Sequence, residues 1–223
     1  MKTAIRALLA IGIIILIVSV SYAAIFLGNS ERRINSNLPI NVACIGDSIT
    51  EWSGYPALLQ IMLGENYNVG NFGVGQAAVS PKWYKPYVKQ SEFEKSKDFG
   101  PSIVVIMLGT NDAHTYQSAD DFASDYEELI SEYQTLADTP QILLVKPPPI
   151  YENELELSGT NLDENVIPAI EQVAEDMNLP IVDVNSALAN HPEYFEDGVH
   201  PNDEGALTIA MEISEAITLE DFT

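Results

Sequence analysis

Four short segments of this 223-residue chain carry residues able to do acyl-transfer chemistry. The first is VACIGDSITEW, Val42 to Trp52, in which a strand-like apolar run passes through Gly46-Asp47-Ser48 into a helical stretch starting at Tyr55. A serine at such a handover can be a nucleophile. It can equally cap a helix, because Ser48 and Glu51 have the S-x-x-E spacing of a capping box. The others are NFGVG at 71–75, GTND at 109–112 and DGVHPN at 197–202. Each alone has a structural explanation: Asn71 and Gly73 shape a turn, Asn111 or Asp112 caps a helix, and Asp197-Gly198 is turn chemistry followed by a proline suited to a first helical turn. Together they supply a serine, a histidine, an aspartate and candidate oxyanion donors.

The elements between these segments determine whether they can meet. Strand-like runs are predicted at Asn41–Ile45, Tyr67–Phe72, Ser102–Leu108, Gln141–Val145 and Pro180–Val184. Between them, Phe122, Tyr126, Leu129, Ile130 and Tyr133 recur on one helical face. So do Val166, Ile167, Ile170, Val173, Ala174 and Met177, and then Ala206, Ile209, Ala210, Ile213 and Ile217. Central runs such as IVVIML are apolar on both faces, as in parallel strands covered by helices on either side. Alternating strands and helices imply a parallel α/β sheet, whose ligand sites lie beyond the carboxyl ends of the strands. All four segments belong at that edge.

With GDSIT at 46–50, NFGVG, GTND and DGVHPN in this order across nearly the whole globular part, the sequence resembles the SGNH or GDSL-type esterases. The resemblance implies a flavodoxin-like three-layer α/β/α sandwich on a parallel five-stranded sheet. It implies Ser48 as nucleophile, His200 as base and Asp197 as its partner. The oxyanion donors would be the backbone N–H groups of Ser48 and Gly73 with the side-chain amide of Asn111. Many members read Asn-x-Gly-x-Ser-Gly in the second block, whereas Gly75-Gln76 occupy the last two places here.

The chemistry is coherent. A serine hydroxyl becomes a useful nucleophile when a neighbouring base takes its proton, and an imidazole ionises near neutral pH. A carboxylate three residues earlier, across a glycine-containing turn, can bend back to the imidazole Nδ1–H and fix its tautomer. The chain order Ser…Asp…His without G-x-S-x-G disfavours an α/β-hydrolase.

The resemblance further points to short-chain O-acetyl groups on a carbohydrate or sialate as substrate. A lysophospholipase or thioesterase, or a non-catalytic carbohydrate-binding protein on the same fold, are the alternatives. Trp83, Tyr84, Tyr87 and Phe93, set among five lysines between 82 and 97, offer either sugar-stacking faces or ordinary packing. His114 stands as a pocket residue or a bystander, and KPPPIY, Lys146 to Tyr151, as a rigid pocket wall. Gly73-Val74-Gly75-Gln76-Ala77-Ala78 also fits G-x-G-x-x-A, a weak dinucleotide signature that would have to open a helix. No cofactor is expected. Three histidines, no H-E-x-x-H and a single cysteine, Cys44, give no metal site and no intramolecular disulfide.

From residue 34 onward, six lysines face 32 acidic residues, a net charge of −26. Nucleic acid as a partner is excluded, because a phosphate-binding face needs clustered basic groups. Leu8 to Leu27 holds 20 residues without a charge, about 30 Å of helix and enough to span a bilayer. Lys2 and Arg6 precede it and Ser21-Tyr22-Ala23 gives a weak cleavage site, so the length favours an uncleaved anchor over a cleaved peptide. The expected organisation is a signal anchor or signal peptide at 1–28, a polar linker at 29–39 and the hydrolase domain at 40–223. The protein would then be exported, held at the membrane by its N-terminal hydrophobic helix, or secreted if that segment is cut.

Overall fold

The structure, a computed structural model, describes residues 38–114 and 118–219. In chain order the main elements are β1 (Ile40–Gly46), α1 (Ser48–Trp52), α2 (Tyr55–Leu63), β2 (Tyr67–Gly73), α3 (Ser91–Asp98), β3 (Ile103–Met107), α4 (Ala119–Gln134), β4 (Gln141–Val145), α5 (Ile167–Asp176), β5 (Ile181–Val182), α6 (Val184–Leu188) and α7 (Asp203–Leu219). The five strands form one parallel sheet in the order β2-β1-β3-β4-β5. The fifth is shorter than the sequence predicts: only Ile181 and Val182 pair, with Leu144 and Val145.

Side chains alternate across each strand, so the sheet divides the core in two. Ala43, Ile45, Val104, Ile106, Ile142 and Leu144 face α3, α4 and α5. Val42, Cys44, Ile103, Val105, Leu143 and Val145 face α2, α6 and α7. This is the three-layer arrangement the apolar runs predict. Helix α4 shows how the pattern works. Ser118 caps it by accepting the Asp121 N–H at 3.1 Å, and Asp120 and Asp121 complement the positive end of the helix dipole. Its predicted stripe, Phe122, Tyr126, Leu129, Ile130 and Tyr133, is wholly buried. Each such side chain stabilises the fold by about 1.5–3 kcal/mol relative to exposure.

Strands β1 and β3 are adjacent, while the chain leaves β1 for β2 on its other side. The crevice between the ends of β1 and β3 is therefore the switch point where an open sheet of this type binds its ligand. Ser48 follows β1 there, and Asn111 follows β3. The hydrophobic segment Leu8 to Leu27 lies outside the described residues. Among the described residues no helix is long and apolar enough to cross a membrane.

Candidate active site

Ser48 is not the cap of its helix. Asp47 fills that position, its Oδ1 accepting the Ile49 N–H at 2.9 Å, which makes Ser48 the first helical residue. Glu51 does not close a capping box either; its Oε2 accepts the Gly75 N–H at 2.5 Å. The serine hydroxyl is thereby free to donate to His200 Nε2 at 2.9 Å. On the other side of the ring, Nδ1–H donates to Asp197 Oδ2 at 2.7 Å. Asp197 Oδ1 accepts the backbone N–H groups of Val199 (3.0 Å) and His200 (2.8 Å), which bends the carboxylate back toward the ring. Gly198 makes that turn possible: its φ is +84°, and an added Cβ would meet the Glu152 carbonyl oxygen at 2.2 Å. Partial burial pushes the Asp197 carboxyl upward, but hydrogen bonds from the His200 ring, His200 N–H and Val199 N–H outweigh it and hold the group below its ordinary range.

Ser48 and His200 open into a cavity of about 340 Å³, which Asn111 also lines. Asn111 is 8% exposed. Its Nδ2 donates one hydrogen to the Ala77 carbonyl at 2.9 Å, leaving the second for a ligand. The segment holding that carbonyl is fixed from below by Asp112, whose carboxylate oxygens accept the N–H groups of Val79 (3.1 Å) and Ser80 (3.0 Å). Asp112 is buried, and burial pushes its carboxyl up to about 6 against the pull of the Ser80 and Val79 N–H groups. Asp47 is pushed up to about 6 by the same cause, opposed by the Ile49 N–H.

The structure brings Ser48, Asp197, His200 and Asn111 together. It does not bring Gly73. The Gly73 N–H donates to Asn71 Oδ1 at 2.9 Å, and the residue is absent from the cavity lining. Its glycine identity serves packing: a Cβ there would meet Glu51 N at 2.3 Å and the Thr50 carbonyl carbon at 2.7 Å, so only glycine lets β2 run against α1. The cavity is bordered instead by Gln76, three residues on, with a left-handed φ of +66°.

Trp83, Tyr84 and His114 line the cavity, whereas Tyr87 and Phe93 are buried and pack edge-on in the core, Phe93 against Tyr133. The aromatic cluster thus divides into two site residues and two core residues. KPPPIY is not the cavity wall; Leu155 and Leu157 form that side. Sequence reasoning also passed over Trp52. Its signal was available, since it stands one helical turn after Ser48 and so shares that residue's face. Leu155 and Leu157, in an irregular segment, carry no such signal. The G-x-G-x-x-A reading fails, because Gly75-Gln76 form a turn and no helix opens there; the next α-helix begins at Ser91.

A Ser-His-Asp relay at the switch point of a parallel α/β sheet, beside a side-chain amide, defines a serine hydrolase of the flavodoxin-like type. Residues 44–207 match the GDSL-like Lipase/Acylhydrolase family, and the chain belongs to that family. An acetylxylan esterase of Xylanibacter ruminicola is 33% identical over 206 residues, covering 80% of this chain. The chain spans 43% of that relative's length. Among solved structures, an acetyl xylan esterase, AlAXEase, is 26% identical with a TM-score of 0.65, covering 80% of this chain and all of that one. The aryl esterase of M. smegmatis shares the fold with a TM-score of 0.68 at 19% identity, covering 81% of this chain and 99% of that one.

Proposed function

We propose that the protein is a serine esterase that removes short acyl groups, acetyl above all, from a saccharide through an acyl-enzyme on Ser48. The observation that carries this reading is the unbroken relay from Ser48 Oγ through His200 to Asp197 at 2.9 and 2.7 Å. His200 takes the hydroxyl proton as Ser48 attacks the ester carbonyl. Asp197 holds the ring in the tautomer whose Nε2 can accept, and stabilises the imidazolium. The oxyanion that forms meets Asn111 Nδ2 and the N–H of Ser48, which as a first-turn helical group has no intrahelical acceptor. The N–H of Gln76 takes the place expected of Gly73. One such donor is worth about 3–4 kcal/mol in the transition state. His200 returns its proton to the leaving alcohol, and water repeats the sequence on the acyl-enzyme.

The cavity of about 340 Å³ lies at the small end of ligand sites, which favours a short acyl group over a fatty chain. The acetylxylan esterase relatives point the same way. The uncharged Leu8 to Leu27 run supports placing the catalytic domain outside the cytoplasm. Labelling with a serine-directed phosphonate tests the reading. One adduct on the Ser48 peptide is expected, together with acetyl-ester hydrolysis, and Ser48→Ala abolishes both. Cys44 will not compete, since it is fully buried and burial pushes its thiol up to about 12. An adduct elsewhere, or full activity in Ser48→Ala, refutes the assignment; binding without turnover would favour a carbohydrate-binding protein.

A further inference from the structure

The relay does not require the two residues at which the second sequence block departs from its usual Ser-Gly, and those residues organise the rest of the cavity. Gly75 gives Trp52 its place: a Cβ on Gly75 would meet Trp52 Cζ2 at 2.7 Å. With only a hydrogen there, the indole lies on the turn, its ring 5.6 Å from that of His200. The next residue fixes the second tryptophan, because the Gln76 carbonyl accepts Trp83 Nε1–H at 2.9 Å. Trp83 in turn stands 4.8 Å from Tyr84. One two-residue turn therefore sets both aromatic walls.

These walls are open to ligand. Ten large hydrophobic side chains are exposed among the described residues, and three of them, Trp52 (62%), Tyr84 (66%) and Leu155 (46%), border this single cavity. Clustered exposure of this kind marks a binding surface. Flat amphipathic rings beside the amide of Gln76 suit a ligand with an apolar face and a hydroxylated edge, which is the chemistry of a pyranose ring.

Charge narrows the choice. Among the described residues, the cavity lining holds no lysine, arginine, aspartate or glutamate. One bordering hollow, of about 820 Å³, shares Leu155 and carries Glu152, Glu154, Glu196 and Asp197. Another shares Trp52 and His200 and carries Glu196, Asp197 and Asp203. Among the described residues, neither holds a lysine or arginine. Of the lysines flanking Trp83 and Tyr84, Lys82 is paired with Asp121 at 3.4 Å, while Lys85 donates to the neutral Gly75 carbonyl at 2.7 Å and keeps its charge there, so the acidic hollows set the sign on the Trp52 and Leu155 sides.

We propose that the Gly75–Gln76 turn is the specificity determinant of the site: it holds Trp52 and Trp83 as aromatic walls for the ring of an uncharged acetylated saccharide, and the acidic margins turn away saccharides bearing carboxylates. The proposal rests on the esterase reading and narrows its substrate to neutral chains, against sialate or uronate esters.

The test compares kcat/KM on a neutral acetylated xylo-oligosaccharide with kcat/KM on 4-nitrophenyl acetate, which has no sugar to stack. Gly75→Ser should lower the saccharide-to-aryl ratio by about tenfold or more, mostly through KM on the saccharide, an amount typical of losing one aromatic contact. Tyr84→Ala, at an exposed ring, should lower it in the same direction without disturbing the turn. In the unmodified protein, an oligosaccharide carrying a uronic acid next to the acetylated ring should be about tenfold poorer than the neutral one at low salt. That gap should narrow at about 0.5 M salt, as screening requires. An unchanged ratio in both variants overturns the aromatic walls, as does an unmodified protein that cleaves 4-nitrophenyl acetate but no saccharide. Equal use of the carboxylate-bearing chain overturns the charge selection. Failure of the esterase reading would look different, since Ser48→Ala would then retain hydrolysis of both esters.

Discussion

Replacing Asp112 by asparagine removes a carboxylate that the fold holds out of water. Its folded pKa of about 6 stands above the ordinary 3.8. Between those values the folded chain keeps a proton that the unfolded chain has released. The stability this group contributes is therefore fully present below 3.8 and lost as pH rises through 6. At 1.36 kcal/mol per pH unit the full difference is about 3 kcal/mol, of which about 2 kcal/mol falls between pH 4.5 and pH 8. The asparagine cannot titrate. It also faces the N–H of Val79 or Ser80 with an amide nitrogen instead of an oxygen, a pH-independent cost of about 1–3 kcal/mol. Urea unfolding of both proteins at about pH 4.5 and pH 8 separates the two effects, because titrating groups that do not interact with Asp112 cancel in the double difference; the buried Asp47, which the Asp112 charge raises further, adds a smaller change of the same sign. The unmodified protein should lose about 2 kcal/mol more than the variant on moving to the higher pH. Identical pH dependence in the two proteins would show that Asp112 is ionised throughout, and that burial does not shift it.

Asp197→Asn keeps the shape of the relay but can present an amide hydrogen to His200 Nδ1 and favour the wrong tautomer; kcat on an acetyl ester should fall by about 10³–10⁴-fold, and a loss below tenfold in steady-state kinetics would remove Asp197 from the mechanism. Gly73→Ala retains the backbone N–H yet places a Cβ against Glu51 N, so it should cost about 1–3 kcal/mol of stability and disturb α1, which carries Ser48. An unchanged thermal midpoint for this variant would contradict the packing role assigned to Gly73.

The elements were legible because apolar residues are placed by burial. The runs at Val42 to Ile45 and IVVIML had to be covered on both faces, and the stripe from Phe122 to Tyr133 had to be a helix. Ser48, Asp197, His200 and Asn111 were legible because loops leaving the carboxyl ends of the strands gather at the switch point of such a sheet. Gly73 could not be read unambiguously because two physical demands select glycine, close approach and a left-handed backbone. Gly73 meets the first, while the residue that adopts the left-handed conformation is Gln76, whose side chain gives no hint of it. Tyr87 and Phe93 could not be told from Trp83 and Tyr84 by composition, since only the path of the chain decides which aromatic rings point inward. Ser48 has the spacing of a cap, but Asp47, one residue earlier, takes that position.

The chain contains two tryptophans, and both border the catalytic cavity. Its indole emission is thus an intrinsic optical reporter of that cavity, with no background from elsewhere in the protein. Because one indole lies 5.6 Å from the His200 ring and the other leans on the neighbouring turn, light from the unlabelled protein can follow saccharide entry.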